Sequence, residues 1–95
     1  MSNKQAYQQK IQAQLDEWSA EIDKLRAKAD KADADAQIAL NREIDNLRDK
    51  KNQAREKLDE LSDASEGAWE DLKTGVEAAS NQLGQALRSA QSRFD

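Results

Sequence analysis

Apolar residues along this chain recur at steps of three and four. From Leu15 they run Leu15, Trp18, Ile22, Leu25, Ala29, Ala32, Ala36 and Ala39. That alternation is the seam of a heptad repeat, the signature of a helix that buries one stripe against a partner. Tyr7 and Ile11 extend it towards the N-terminus by two four-residue steps. A second register runs Ile44, Leu47, Lys51, Ala54, Leu58, Leu61, Ser65, Ala68 and Leu72. The two registers join through Ala36, Leu40 and Ile44. Two successive steps of four make a stutter, which unwinds a supercoil locally without ending a helix.

Propensity points the same way. Residues 3–61 contain no glycine or proline, and alanine, the best helix former, is frequent. Ser2 and Gln5 match a capping box, which starts a helix by satisfying two backbone N–H groups reciprocally. Pairs such as Arg26–Asp30, Lys31–Asp35 and Arg55–Asp59 stand four apart and add minor support. The first punctuation is "LSDASEG", residues 61–67, where Ser62 and Asp63 are good caps and Gly67 weakens a helix. A last amphipathic segment carries Trp69, Leu72, Val76, Leu83, Leu87 and Phe94, weakened by Gly75 and Gly84. The expected architecture is all-α: a long coiled-coil helix over 3–61, a break at 62–67 and a helix over 68–93. Residues 1–62 then form the long element, and 63–95 a C-terminal amphipathic helix, folded back or continuous.

The seam is nearly symmetric about a point between Ala34 and Asp35. Reflection there sets Leu25 opposite Ile44, Ile22 opposite Leu47, Leu15 opposite Ala54 and Ile11 opposite Leu58. Trp18 falls opposite Lys51, where its ring can lie on the lysine stem. Two structures satisfy this reflection. One is a hairpin within the chain, turning in "DADA"; the other is an antiparallel homodimer of unbroken helices. A hairpin wants glycine, asparagine, proline or a capping cluster at its turn. The sequence offers alanines in heptad phase, so the antiparallel dimer is favoured, with a helix about 90 Å long. The expected oligomer interface is Ile11, Leu15, Trp18, Ile22, Leu25, Ala29, Ala32, Ala36, Ile44, Leu47, Lys51, Leu58, Leu61 and Leu72. Lys51 on the seam reads as a snorkelling side chain or as a device that sets register.

Composition narrows the function. The 95 residues are 36 % charged and 4 % aromatic, with a net charge of −4. So few aromatics give a lone chain little core, which again favours self-association as a homodimer or larger homo-oligomer. An acidic balance is a poor electrostatic footprint for nucleic acid. The run Arg42, Arg48, Lys50, Lys51, Arg55 and Lys57 is interleaved with Glu43, Asp45, Asp49 and Glu56, as on a solvated coiled-coil flank. Without histidine or cysteine the usual nucleophile–base pairs and zinc sites are absent. Asp30, Asp33 and Asp35 lack the loop glycine and closing glutamate of a calcium-binding hand and read as a polar helix face. No catalytic, cofactor or metal residues are expected, and no cofactor. The N-terminus has no apolar run of a signal peptide, and no stretch approaches a membrane span of roughly 18 apolar residues. A cytoplasmic location is the default.

The stretches "YQQKIQAQLDEWSAEIDKL", "LRDKKNQAREKLDEL" and "SEGAWEDLKTGVEAA" resemble a group of small bacterial coiled-coil proteins, often labelled apolipoprotein-like. The resemblance implies a bacterial source and a helical, oligomeric protein, and it transfers no catalytic residues. The reading that emerges is a non-enzymatic scaffold, spacer or protein-interaction module. The alternative is an amphipathic protein of a lipid, membrane or storage-granule surface. That alternative is not favoured, because Glu70, Asp71 and Glu77 make the polar face of the last segment acidic.

Overall fold

The computed structural model describes residues 2–94 and is all-helical among them. Helix α1 spans Asn3–Asp30, α2 spans Ala34–Asp63 and α3 spans Trp69–Phe94. The three form an up-down-up bundle measuring 51 × 19 × 18 Å. Helix α2 runs antiparallel to α1, and α3 returns parallel to α1, packing more extensively on α2.

Helix α1 begins as expected. Ser2 Oγ accepts from the Gln5 backbone N–H at 3.2 Å, and the Gln5 side chain accepts from the Ser2 N–H at 3.2 Å. Its buried stripe is Tyr7, Ile11, Leu15, Ile22, Leu25 and Ala29. Helix α2 buries Leu40, Ile44, Leu47, Ala54, Leu58 and Leu61. Helix α3 buries Trp69, Val76, Ser80, Leu83, Gly84, Leu87 and Ala90. These stripes meet along one axis in a continuous core, flanked by the partly buried Trp18, Leu72, Ala79, Ala86 and Phe94.

The expected unbroken helix over 3–61 is corrected here: the chain turns at residues 31–33. The last turn of α1 tightens, with Lys31 N–H donating to Lys28 O at 3.2 Å and Ala32 N–H to Ala29 O at 3.1 Å. Asp33 then takes an extended conformation, ψ 170°, and its carboxylate accepts from the Ala36 N–H at 2.9 Å. An aspartate N-cap thus does what glycine or proline does in other hairpins, by supplying an acceptor to the exposed first turn. Asp35 in that turn adds favourable charge at the positive end of the helix dipole. The seam also changes course: Ala39 is exposed, and the buried line passes from Ala36 to Leu40.

The pairing register agrees with the reflection. Lys4 Nζ donates to Ala64 O and Gln8 Nε2 to Ser62 Oγ. Arg55 Nη1 donates to Gln12 Oε1 at 3.2 Å, and Lys51 Nζ to Ser19 Oγ at 3.4 Å. Each of these pairs is centred within residues 33–35. Arg55 therefore reaches across to α1 and not along its own helix to Asp59. The second turn lies at residues 64–68, slightly beyond the expected 62–67. Asp63 ends α2 and does not cap α3. Ser65 O accepts from the Ala68 and Trp69 N–H groups at 3.0 and 3.2 Å, which leads the chain into α3.

Candidate functional site

The residues expected on an oligomer interface are brought together inside one chain. Ile11, Leu15, Ile22, Leu25, Ala29, Ile44, Leu47, Leu58 and Leu61 are buried in the bundle core. Trp18, Ala32, Ala36, Lys51 and Leu72 are partly buried at its margins. Of the α3 residues considered for a lipid surface, Trp69, Val76, Leu83 and Leu87 are buried, and Leu72 and Phe94 pack against the core. Among the described residues Ile38 is the one large apolar side chain exposed, at 55 %. The closed bundle therefore offers no broad apolar face.

Trp18, which the reflection sets opposite Lys51, also meets the third helix. Its ring is turned towards α3, over Gly84. A Cβ at residue 84 would stand 3.0 Å from Trp18 Cζ2 and 3.3 Å from Cη2, so the missing side chain makes room for the indole. Lys51 meanwhile reaches Ser19, keeping its ammonium group at the rim of the α1–α2 interface.

The end of the bundle near the second turn holds its aromatic cluster. The Tyr7 and Trp69 rings are 5.9 Å apart and tilted at 38°. The Lys73 ammonium lies 5.2 Å from the Tyr7 centroid and 6.0 Å from that of Trp69, within cation–π range. A small recess of about 150 Å³ opens beside this cluster between α1 and α3, lined by Tyr7, Lys10, Gln14, Glu77 and Ser80. Tyr7 Oη and Ser80 Oγ are buried there without a hydrogen-bond partner. The Glu77 carboxylate lines the same recess. Burial, and then the negative charge of Glu77, push the Tyr7 pKa up to about 12. A phenol held neutral to that pH is a poor nucleophile or base.

At the other end, α3 is fastened by polar contacts at its C-terminus. Gln91 Nε2 donates to Glu21 Oε2 at 2.9 Å and Lys28 Nζ to Phe94 O at 2.9 Å. Arg93 pairs with Glu43 at 3.3 Å. A cation on the last carbonyl of α3 also suits the negative end of its dipole.

An open groove of about 600 Å³ lies between α1 and α2, with no α3 residue in its lining. Gln5, Gln8, Gln9 and Gln12 line one wall, and Asp59 and Ser62 the other. Its carboxylates, Asp16 and Asp59, are exposed to solvent. No group of three or more acidic, histidine or cysteine side chains is placed to hold a metal ion among the described residues. Among the described residues no helix is long and apolar enough to cross a membrane. No protein-family model, curated protein or solved structure matches the chain.

The sequence pattern led to the seam residues and to their pairing. It missed Gly84 as the seat for Trp18, and Asp33 as a cap. The Gly84 signal was available, since a glycine among Val76, Leu83 and Leu87 on one helix face marks close approach of a neighbour.

Proposed function

We propose that the protein is a non-enzymatic helical interaction module, a small scaffold or spacer that binds a second copy of itself or another helical protein. The observation that carries this reading is the α1–α2 pairing. Four polar contacts between α1 and α2 are centred within residues 33–35, so two antiparallel chains can make the same contacts as one. The surface adds polar groups for such a partner, with exposed carboxylates and amides along all three helices. The net charge of −4 favours protein over nucleic-acid partners.

Light scattering across a wide concentration range, together with recovery of the tagged full chain from its host and mass spectrometry, tests the reading. A defined oligomer or one recurrent protein partner is the expected result. A chain that stays single at millimolar concentration and recovers no partner overturns it.

A further inference from the structure

We infer that residues Lys31–Asp33 are an exchange hinge, through which two copies of this chain swap α1 and form an antiparallel dimer of straightened helices. The inference rests on the interaction reading above and specifies how a second copy is engaged.

Little needs to change at the hinge. Lys31 already has helical angles, φ −101° and ψ −4°. No described residue has a positive φ, so no left-handed conformation locks the turn. Asp33 is the residue known to be extended, φ −68° and ψ 170°, and its φ is already that of a helix. Rotation about ψ of Asp33, with adjustment of Ala32, carries α1 into α2. Lysine, alanine and aspartate are all tolerated inside helices, and alanine is favoured there.

The faces also match. Ala29 is the last buried residue of α1 and Leu40 the first of α2, eleven positions apart. Eleven residues are about three helical turns, leaving the two stripes within about 20° of one line. A straightened chain therefore shows one continuous apolar stripe. That stripe needs a partner presenting the α1–α2 complement, and a second copy supplies it in the register already seen. Helix α3, which packs mainly on α2, stays with its own chain. Its contacts with α1, such as Trp18 on Gly84 and Tyr7 on Trp69, then form between chains.

The closed form is held by the Asp33 cap, which the straight form lacks. The straight form gains backbone hydrogen bonds across 31–33 in place of the tightened bonds of Lys31 and Ala32, and the contacts between helices are shared by the two forms. Exchange of identical elements through a short hinge is a low-cost route to dimers.

The chain has no cysteine, so engineered thiols report its topology cleanly. Gln8→Cys with Ser62→Cys places thiols at a contact that closes within the chain or between chains. The double variant is refolded at micromolar and at millimolar concentration, then oxidised and run on a denaturing, non-reducing gel. A short bismaleimide replaces oxidation if the thiols do not meet. Within-chain links at low concentration and covalent dimers at high concentration are expected. Asp33→Ala removes the cap from both chains and raises the dimerisation constant on the order of thirtyfold. Ala32→Gly with Asp33→Gly disfavours the straight helix and lowers it. Within-chain links alone at millimolar concentration overturn the hinge. If scattering still finds an oligomer in that case, the interaction reading stands and the swap alone is lost. If scattering finds a single chain and no partner is recovered, both fail.

Discussion

The Trp18 ring rests on the backbone of Gly84, closely enough that a Cβ there would stand 3.0 Å from Cζ2. Gly75, on the same helix, is exposed, and a Cβ there would meet only the flexible Lys57 stem at 4.0 Å. Glycine costs a helix interior roughly 0.5–1 kcal/mol relative to alanine at either position. Gly75→Ala therefore stabilises by about that amount, raising Tm by several degrees in a chain of this size. At Gly84 the same gain is opposed by overpacking against the indole, about 1–3 kcal/mol. Gly84→Ala is expected to melt below Gly75→Ala and to shift Trp18 fluorescence. Trp18→Leu should relieve the penalty, and a double-mutant cycle measures the coupling.

Tyr7 and Ser80 carry buried hydroxyls without partners. An unpaired buried polar group costs stability that its removal restores. Tyr7→Phe and Ser80→Ala should each be neutral or stabilising by up to about 1 kcal/mol, measured by urea unfolding. A loss above that size would mean that the hydroxyl has a partner in solution.

Tyr7 also gives the fold a pH dependence at the alkaline end. Its folded pKa of about 12 lies above the ordinary value of 10.0. The folded state then retains the phenolic proton where the unfolded state has lost it, so stability falls as pH rises between the two values. Below pH 10 the contribution is constant. Unfolding midpoints of the native chain and Tyr7→Phe, compared across pH 9–12, isolate this part from lysine titration. The native chain should lose more stability over that window.

Leu47 is fully buried between the helices, whereas Ile38 is 55 % exposed. Leu47→Ala should cost about 2–5 kcal/mol through lost burial and the cavity left behind. Ile38→Ser should stay within about 0.5 kcal/mol. Equal effects would place Ile38 on an interface in solution.

The apolar stripe of α3 faces α1 and α2. The closed bundle should therefore remain unbound in flotation with neutral and anionic vesicles, since acidic side chains dominate the first turn of α3. Flotation with either vesicle would show that the bundle opens onto lipid.

Much of the fold was legible because it depends on local or periodic signals. The Ser2–Gln5 cap is complete within four residues. The α1–α2 register follows from the spacing of Leu15, Ile22, Leu25, Ile44, Leu47 and Leu58, since a helix displays its period directly. Asp33 was not legible as a cap. An aspartate among alanines and lysines has the same appearance on a solvated helix face, and only its backbone angle separates the two roles. The seat of Trp18 on Gly84 was not legible, because the reflection treats two helices and leaves out the third.

The sequence by itself determined two amphipathic helical stretches, 3–61 and 68–93, the apolar stripe along each, and a pairing register centred between Ala34 and Asp35. Those properties come from side-chain periodicity and propensity, which act over a few turns. The tertiary structure alone decided that the chain turns at 31–33, that α3 lies parallel to α1, and that Gly84 receives Trp18. The pairing contacts are the same within a chain or between chains, so periodicity does not distinguish them. The closed form is selected by the conformation of Asp33 and its cap.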